Sequence, residues 1–214
     1  LNLLEACRHE GVRFFVFASS SSVYGVNQKV PFAETDLIAR TISPYAATKL
    51  AGEQMCSNYA ELFGLRCACL RFFTVYGPRQ RPDLAISKFT KAMLDGSPID
   101  RYGDGSTARD YTYVDDIVRG IMAAADYTEQ SFFEIFNLGG AATTTLAELI
   151  HMVEEATGTT AEIHPMPNQP GDVPRTYADV SKAEALLGYH PHTPIHEGIR
   201  KYVAWQRDLR PAAN

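Results

Sequence analysis

Apolar positions Leu3, Leu4 and Cys7 share one side of a helix and Gly11 ends the pattern, so an amphipathic helix is predicted over 1–10. The apolar run Phe14-Phe15-Val16-Phe17-Ala18 then predicts a strand over 13–18. Pro44 behind Ser43, with Gly64 beyond, brackets a helix over 44–63, and a strand over 65–71 follows. Thr74 to Asp83 holds Gly77, Pro78 and Pro82 and reads as a loop. Ala85 to Leu94 reads as a helix closed by Gly96, and short strands are expected near 99–102 and 109–114. Asp115 and Asp116 are read as caps for a helix over 116–126, ahead of a strand from Phe132 to Leu138. Thr145-Leu146-Ala147-Glu148 has the spacing of a capping box for a helix to about 157. A strand near 161–164, a Pro-rich loop over 165–174, and helices over 181–187 and 195–209 complete the pattern. Strands separated by helices predict an α/β fold with a parallel sheet and right-handed crossovers. The second half lacks clean alternation and predicts a smaller mixed α/β lobe laid over a ligand.

Composition narrows the classes. The 214 residues are 45% hydrophobic and 21% charged, which suits a packed core and argues against disorder. A net charge of −5 offers no basic footprint for nucleic acid or an anionic membrane. No apolar run approaches the roughly 18 residues of a membrane helix. Cys7, Cys56, Cys67 and Cys69 form no C-x-x-C pair and read as reduced core thiols, which fits a cytoplasmic protein. No metal site is expected. Asp115-Asp116 suits a helix cap, and His190, His192 and His196 lie among prolines on an exposed connection without a supporting ligand cluster. The chain opens at Leu1 already inside a helical pattern, so the true N-terminus is expected upstream.

Candidate chemistry centres on Tyr45 and Lys49. Four residues apart on a helix, they share one face, so the ammonium comes near the phenol. A free phenol titrates near ~10, and a neighbouring cation lowers that value toward a usable base. The serine run Ser19 to Ser22, ending the first predicted strand, offers a hydroxyl to bridge phenolate and substrate oxygen.

These residues belong to a larger set of motifs. Ala18-Ser19-Ser20-Ser21-Ser22-Val23-Tyr24-Gly25, Ser43-Pro44-Tyr45-x-x-x-Lys49 and Arg71-Phe72-Phe73-Thr74-Val75-Tyr76-Gly77-Pro78 come first. Gly103-Asp104-Gly105-x-x-x-Arg109-Asp110-Tyr111 and Gly171-Asp172-Val173-Pro174-x-Thr176-x-Ala178-Asp179 follow in order. Together they resemble the NAD-dependent epimerase/dehydratase branch of the extended short-chain dehydrogenase/reductase family, most closely its UDP-glucuronate and UDP-glucose 4-epimerases. The resemblance implies the C-terminal part of a Rossmann-type parallel sheet domain plus a smaller mixed α/β substrate-binding lobe. Residues 1–83 would be the remainder of the dinucleotide-binding domain, and 84–214 mainly the nucleotide-sugar lobe, with a strand and helix near 110–140 returning to the sheet. It also implies a homodimer in the full-length enzyme, NAD as cofactor, and a UDP-sugar as substrate. Tyr45 would take the proton from the sugar 4-hydroxyl. Lys49 would lower its pKa and bond the nicotinamide ribose, and Ser20 would be the catalytic serine. Arg109 would bind the diphosphate, and Asp172 would lie near the uridine ribose.

Four positions bear on the sugar. Ser21 and Ser22 stand where dehydratases and decarboxylases of the superfamily carry a carboxylate, which favours plain epimerisation. Thr74 stands where asparagine is usual, and Gln169 where arginine is common. With Arg81, these resemble the UDP-glucuronate subgroup, in which neutral hydroxyls and one cation would hold the sugar carboxylate. No G-x-x-G-x-x-G turn occurs in the chain, so the cradle for the rest of NAD is expected outside it. Three readings therefore stay open: a 4-epimerase, another enzyme of the superfamily, or an inactive fragment that binds a nucleotide sugar or a protein partner.

Overall fold

A computed structural model describes residues 1–168 and 173–209. Its elements, in chain order, are α1 (Asn2–His9), β1 (Phe14–Ser20), α2 (Pro44–Phe63), β2 (Arg66–Phe72), β3 (Thr74–Tyr76), α3 (Ala85–Asp95) and β4 (Ile99–Tyr102). There follow β5 (Ala108–Arg109), β6 (Tyr111–Tyr113), α4 (Val114–Tyr127), β7 (Phe133–Leu138), β8 (Thr144–Thr145), α5 (Leu146–Thr157), β9 (Ile163–Met166), α6 (Ser181–Leu187) and α7 (Ile195–Asp208).

The central sheet has the order β1-β2-β7 and is parallel throughout. Side chains alternate across it, as strand geometry requires. Cys67 and Cys69 of β2 and Phe15 and Phe17 of β1 meet Leu4 of α1 and Cys56 and Tyr59 of α2 on one face. Ala68, Leu70, Phe136 and Leu138 meet Ile117 and Ala124 of α4 and Ala183 of α6 on the other. Helices cover both faces, so the strands read as nearly continuous apolar runs. Together these layers are the expected Rossmann-type α/β architecture.

A second core joins the remaining helices. Ile86, Phe89 and Met93 of α3, Leu149 and Val153 of α5, and Ile199 and Tyr202 of α7 pack together with Ile99 of β4. β4 pairs in parallel with β9. Two small ladders tie this lobe to the sheet: β3 with β6, parallel, and β5 with β8, antiparallel.

Local chemistry sets the helix ends. The Ser43 hydroxyl accepts from Ala46 N at 3.1 Å with Pro44 in the first turn of α2, and Gly64 closes that helix at φ 68°. Only a residue without Cβ takes that conformation at no cost. Thr145 and Glu148 complete the capping box of α5, with Glu148 N to Thr145 Oγ1 at 3.2 Å and Thr145 N to Glu148 Oε2 at 2.8 Å.

Three expectations need correction. The presumed loop 74–83 begins with β3, whose partner β6 lies more than thirty residues on. α4 starts at Val114, so Asp115 and Asp116 sit inside its first turn and neither is its N-cap. The buried Asp116 carboxylate instead accepts from His192 N at 3.3 Å and Thr193 N at 3.2 Å, and pairs with Arg119. The serine run is divided: Ser19 and Ser20 finish β1, while Ser21 and Ser22 open a single 3-10 turn, Ser21–Tyr24.

Candidate active site

At the C-terminal end of the parallel sheet, α2 brings its first turns against β1. Lys49 Nζ donates to the carbonyl of Ala18 at 2.8 Å, which fixes the ammonium at the strand end. From there it lies 5.5 Å from the Tyr45 ring centroid and 5.4 Å from that of Phe17. The Tyr45 side chain is 54% exposed, so the phenol is open to a ligand. Ser20, at the last position of β1, accepts from Ser22 N at 3.2 Å and donates to Ser22 Oγ at 3.0 Å. The strand end and the 3-10 turn thus form one hydroxyl ledge beside α2.

That ledge lines a cavity of about 410 Å³, whose wall includes Ser21, Ser22, Tyr24, Ser43, Thr74 and Arg109. Gly25 shapes its rim at φ 55°, where a Cβ would sit 2.0 Å from the Arg40 carbonyl oxygen. A second cavity, of about 400 Å³, is lined by Lys88, Phe89, Tyr102, Arg109 and Tyr111. Arg109 belongs to both walls. One cavity offers hydroxyls, the other aromatic rings, and a guanidinium stands where they meet. A larger cavity, of about 560 Å³, opens beside Phe14 and Arg66, the opposite ends of β1 and β2. Arg66 there donates to the Thr128 carbonyl at 3.0 Å at the end of α4, a helix-terminus contact away from the ledge.

Of the residues singled out in the sequence, Tyr45, Lys49, Ser20, Ser21, Ser22, Thr74 and Arg109 gather at this end of the sheet. Arg81 does not join them; it is exposed and pairs with Asp83 at 3.1 Å. Gln169 and Asp172 lie outside the described residues.

Beneath the ledge is a polar network that sequence reasoning missed. Glu53, fully buried on α2, accepts from Arg71 Nε at 2.9 Å and Nη2 at 2.8 Å, a bidentate pair, and also from the Ser19 hydroxyl. The Arg71 guanidinium carbon lies 4.9 Å from the Tyr24 ring centroid. Tyr24 donates to Asn137 Oδ1 at 2.7 Å, and Asn137 Nδ2 donates to the Phe32 carbonyl at 2.8 Å. Burial pushes the Tyr24 phenol up to about 12. Burial opposes the Arg71 charge, but the bonds and charge of Glu53, with Tyr24, outweigh it and raise its pKa. One signal was available: Glu53 falls four residues after Lys49, on the helix stripe that faces the sheet.

Asp110, next to Arg109, ties separate segments together. It accepts from Gly140 N at 2.6 Å, Ala178 N at 3.1 Å and Thr112 Oγ1 at 3.3 Å. Burial raises its carboxyl to about 6 against the pull of those donors. The turn after β7 and the segment leading back from the hydroxyl cavity are thereby held to the strand that carries Arg109.

The chain is similar to known enzymes over nearly its whole length. UDP-glucuronate 4-epimerase 4 of Arabidopsis thaliana is 42% identical over 222 residues, which are 96% of this chain and 51% of that protein. The crystal structure of UDP-glucuronic acid 4-epimerase from Bacillus cereus, with UDP-glucuronic acid and NAD, matches with a TM-score of 0.89 at 39% identity, covering 97% of this chain and 66% of that one. UDP-glucose 4-epimerase of Thermotoga maritima, with UDP-glucose, matches with a TM-score of 0.89 at 36% identity, covering 96% and 67%. The chain thus spans between half and two thirds of the length of these relatives. The sheet, the motifs at its C-terminal end and a family model matching residues 1–139 agree: the chain belongs to the NAD dependent epimerase/dehydratase family.

Proposed function

We propose that this protein works as an NAD-dependent UDP-sugar 4-epimerase, with UDP-glucuronate and UDP-galacturonate as its substrate pair. The observation that carries the reading is the exposed Tyr45 phenol beside the fixed Lys49 ammonium, next to a cavity of neutral hydroxyls. In this reading Tyr45 takes the proton from the sugar 4-hydroxyl and returns it after the 4-keto sugar has turned its other face. Lys49 favours the phenolate, and Ser20 holds the reacting oxygen. Arg109 meets the diphosphate, with the sugar on its hydroxyl side and the base on its aromatic side.

The donors fit one end of NAD. Lys49 has three N–H groups and gives one to Ala18, which leaves donors for ribose hydroxyls. Bound NAD supplies the acceptor and donor of the hydride. Lys49 and Tyr45 would hold its nicotinamide ribose, at the place where open parallel sheets bind such ligands.

The choice of glucuronate is supported by Ser21, Ser22 and Thr74. No Asp or Glu lines their cavity among the described residues, so a sugar carboxylate meets hydroxyl donors rather than like charge. Two of the relatives above carry UDP-glucuronate in their names, while the third is a UDP-glucose enzyme. The test is to incubate the purified full-length enzyme with NAD and each UDP-sugar and to resolve the C4 epimers by NMR. UDP-glucuronate should be turned over in strong preference; equal turnover of UDP-glucose and UDP-glucuronate would overturn the choice of glucuronate, and preference for UDP-glucose would point to a UDP-glucose 4-epimerase. Full activity in Tyr45→Phe would remove the assigned base.

A further inference from the structure

We infer that Arg71 is a positioning residue that holds the Glu53 carboxylate away from Lys49, so that the Lys49 charge acts on Tyr45 undiminished. This rests on the roles proposed above for Tyr45 and Lys49.

Glu53 lies four residues beyond Lys49 on α2, at the spacing where helix side chains of opposite charge meet. A Lys49–Glu53 pair is the local alternative at this spacing, in the weaker orientation with the cation nearer the helix N-terminus. It would cancel the ammonium field at the phenol, one turn further up the same face. In the structure both residues are engaged elsewhere. Lys49 reaches the Ala18 carbonyl at 2.8 Å. Both Glu53 oxygens are taken by Arg71, at 2.9 and 2.8 Å, and one also by Ser19. The two helix side chains thus grip adjacent residues of β1, Ala18 and Ser19, immediately before Ser20.

The fork geometry of Arg71 suits this task. A guanidinium occupies both carboxylate oxygens at once, where an ammonium would occupy one. Arg71 is itself fixed: it sits opposite Ser19 in the β1–β2 register, its guanidinium lies against Tyr24, and it is 3% exposed. The groups facing this set come from the neighbouring strands and the 3-10 turn, and Asn137 of β7 stands opposite Arg71 and accepts from Tyr24. Phe17, Ala18 and Ser19 come from β1, and Arg71 and the Cys69 thiol, which feels the Glu53 charge, from β2. Tyr24 comes from the 3-10 turn, with Glu34 acting on it. Arg71 is the cation among them that meets Glu53.

The experiment follows the Tyr45 phenol directly, by 13C NMR of ring-labelled tyrosine in the full chain, its resonance assigned with Tyr45→Phe. In Arg71→Met, Glu53 is released toward Lys49 and the Tyr45 titration should move up by about one pH unit. In Glu53→Gln/Arg71→Met it should return to the wild-type value. If Arg71→Met does not fold, Arg71→Lys carries the test: it keeps charge but covers one carboxylate oxygen, and a smaller upward shift is expected. An unmoved Tyr45 titration in a folded Arg71 variant, or a shift that persists in the double variant, overturns the inference. Because the readout is the phenol and not turnover, the result stands apart from the epimerase reading. That reading fails separately, if Tyr45→Phe keeps full activity.

Discussion

Replacing Gly52 with alanine sets two effects of opposite sign against each other. Gly52 lies inside α2, three residues beyond Lys49. In a helix interior, Gly→Ala ordinarily stabilises by about 1 kcal/mol. Here a Cβ would fall 2.2 Å from Phe17 Cζ, 2.7 Å from Cε1 and 3.0 Å from Cε2. Carbon atoms rest at about 3.5–4.0 Å, so the ring must retreat by more than about 1 Å. Phe17 packs with Leu4, Cys56 and Cys69 between α2 and the sheet, so the retreat disturbs that layer. Overpacking of this kind costs about 1–3 kcal/mol. The expected net is a loss of about 1 kcal/mol, or a fall of roughly 2–4 °C in Tm for a domain of this size. Urea titration of wild type and Gly52→Ala, with matched slopes, measures it. A Gly52→Ala protein that is about 1 kcal/mol more stable than wild type would refute the claim that this glycine exists for close approach.

Three further outcomes are expected. Thr145→Ala removes the capping box of α5 and should cost about 1 kcal/mol in denaturant melts, with UDP-sugar binding unchanged. Arg109→Met should weaken UDP binding in calorimetry by roughly 10- to 100-fold, the worth of charged hydrogen bonds to a diphosphate; unchanged affinity would remove Arg109 from the site. Asp110 titrates near 6 folded against 3.8 as a free group, so the folded state holds the extra proton. Its contribution is full below the unfolded value and is lost as pH rises through about 6, by roughly 3 kcal/mol. The stability difference between wild type and Asp110→Asn should therefore change across that window, and a pH-independent difference would contradict the assignment.

Much of this architecture was legible in the residue pattern because each large helix buries one stripe and each sheet strand is an apolar run. The approach of Lys49 to Tyr45 was legible for the same reason: a helix leaves residues at that spacing no other arrangement. What was not legible depends on contacts between distant segments. β3 is three residues ending at Gly77-Pro78, and it becomes a strand only because Tyr111–Tyr113 lies alongside. Asp116 looks like a cap until the loop at 192–193 presents its N–H groups. Glu53 was missed because a buried carboxylate is costly without a partner, and that partner, Arg71, stands on another element. Arg81 lies outside the cavity, exposed and paired with Asp83, a placement that depends on the path of the 77–84 segment and not on residue type.

The thiols of Cys56, Cys67 and Cys69 are reduced and buried where α2 lies on β2, while Cys7 on α1 is partly exposed. This makes the layer that holds Lys49 its own reporter. A thiol reagent in native buffer can reach the three buried sulfurs only when α1 and α2 lift from the sheet. Their labelling rate therefore counts excursions of that layer, on a clock separate from global unfolding. The slower they react relative to Cys7, the longer the strand end and the helix stay in register between openings.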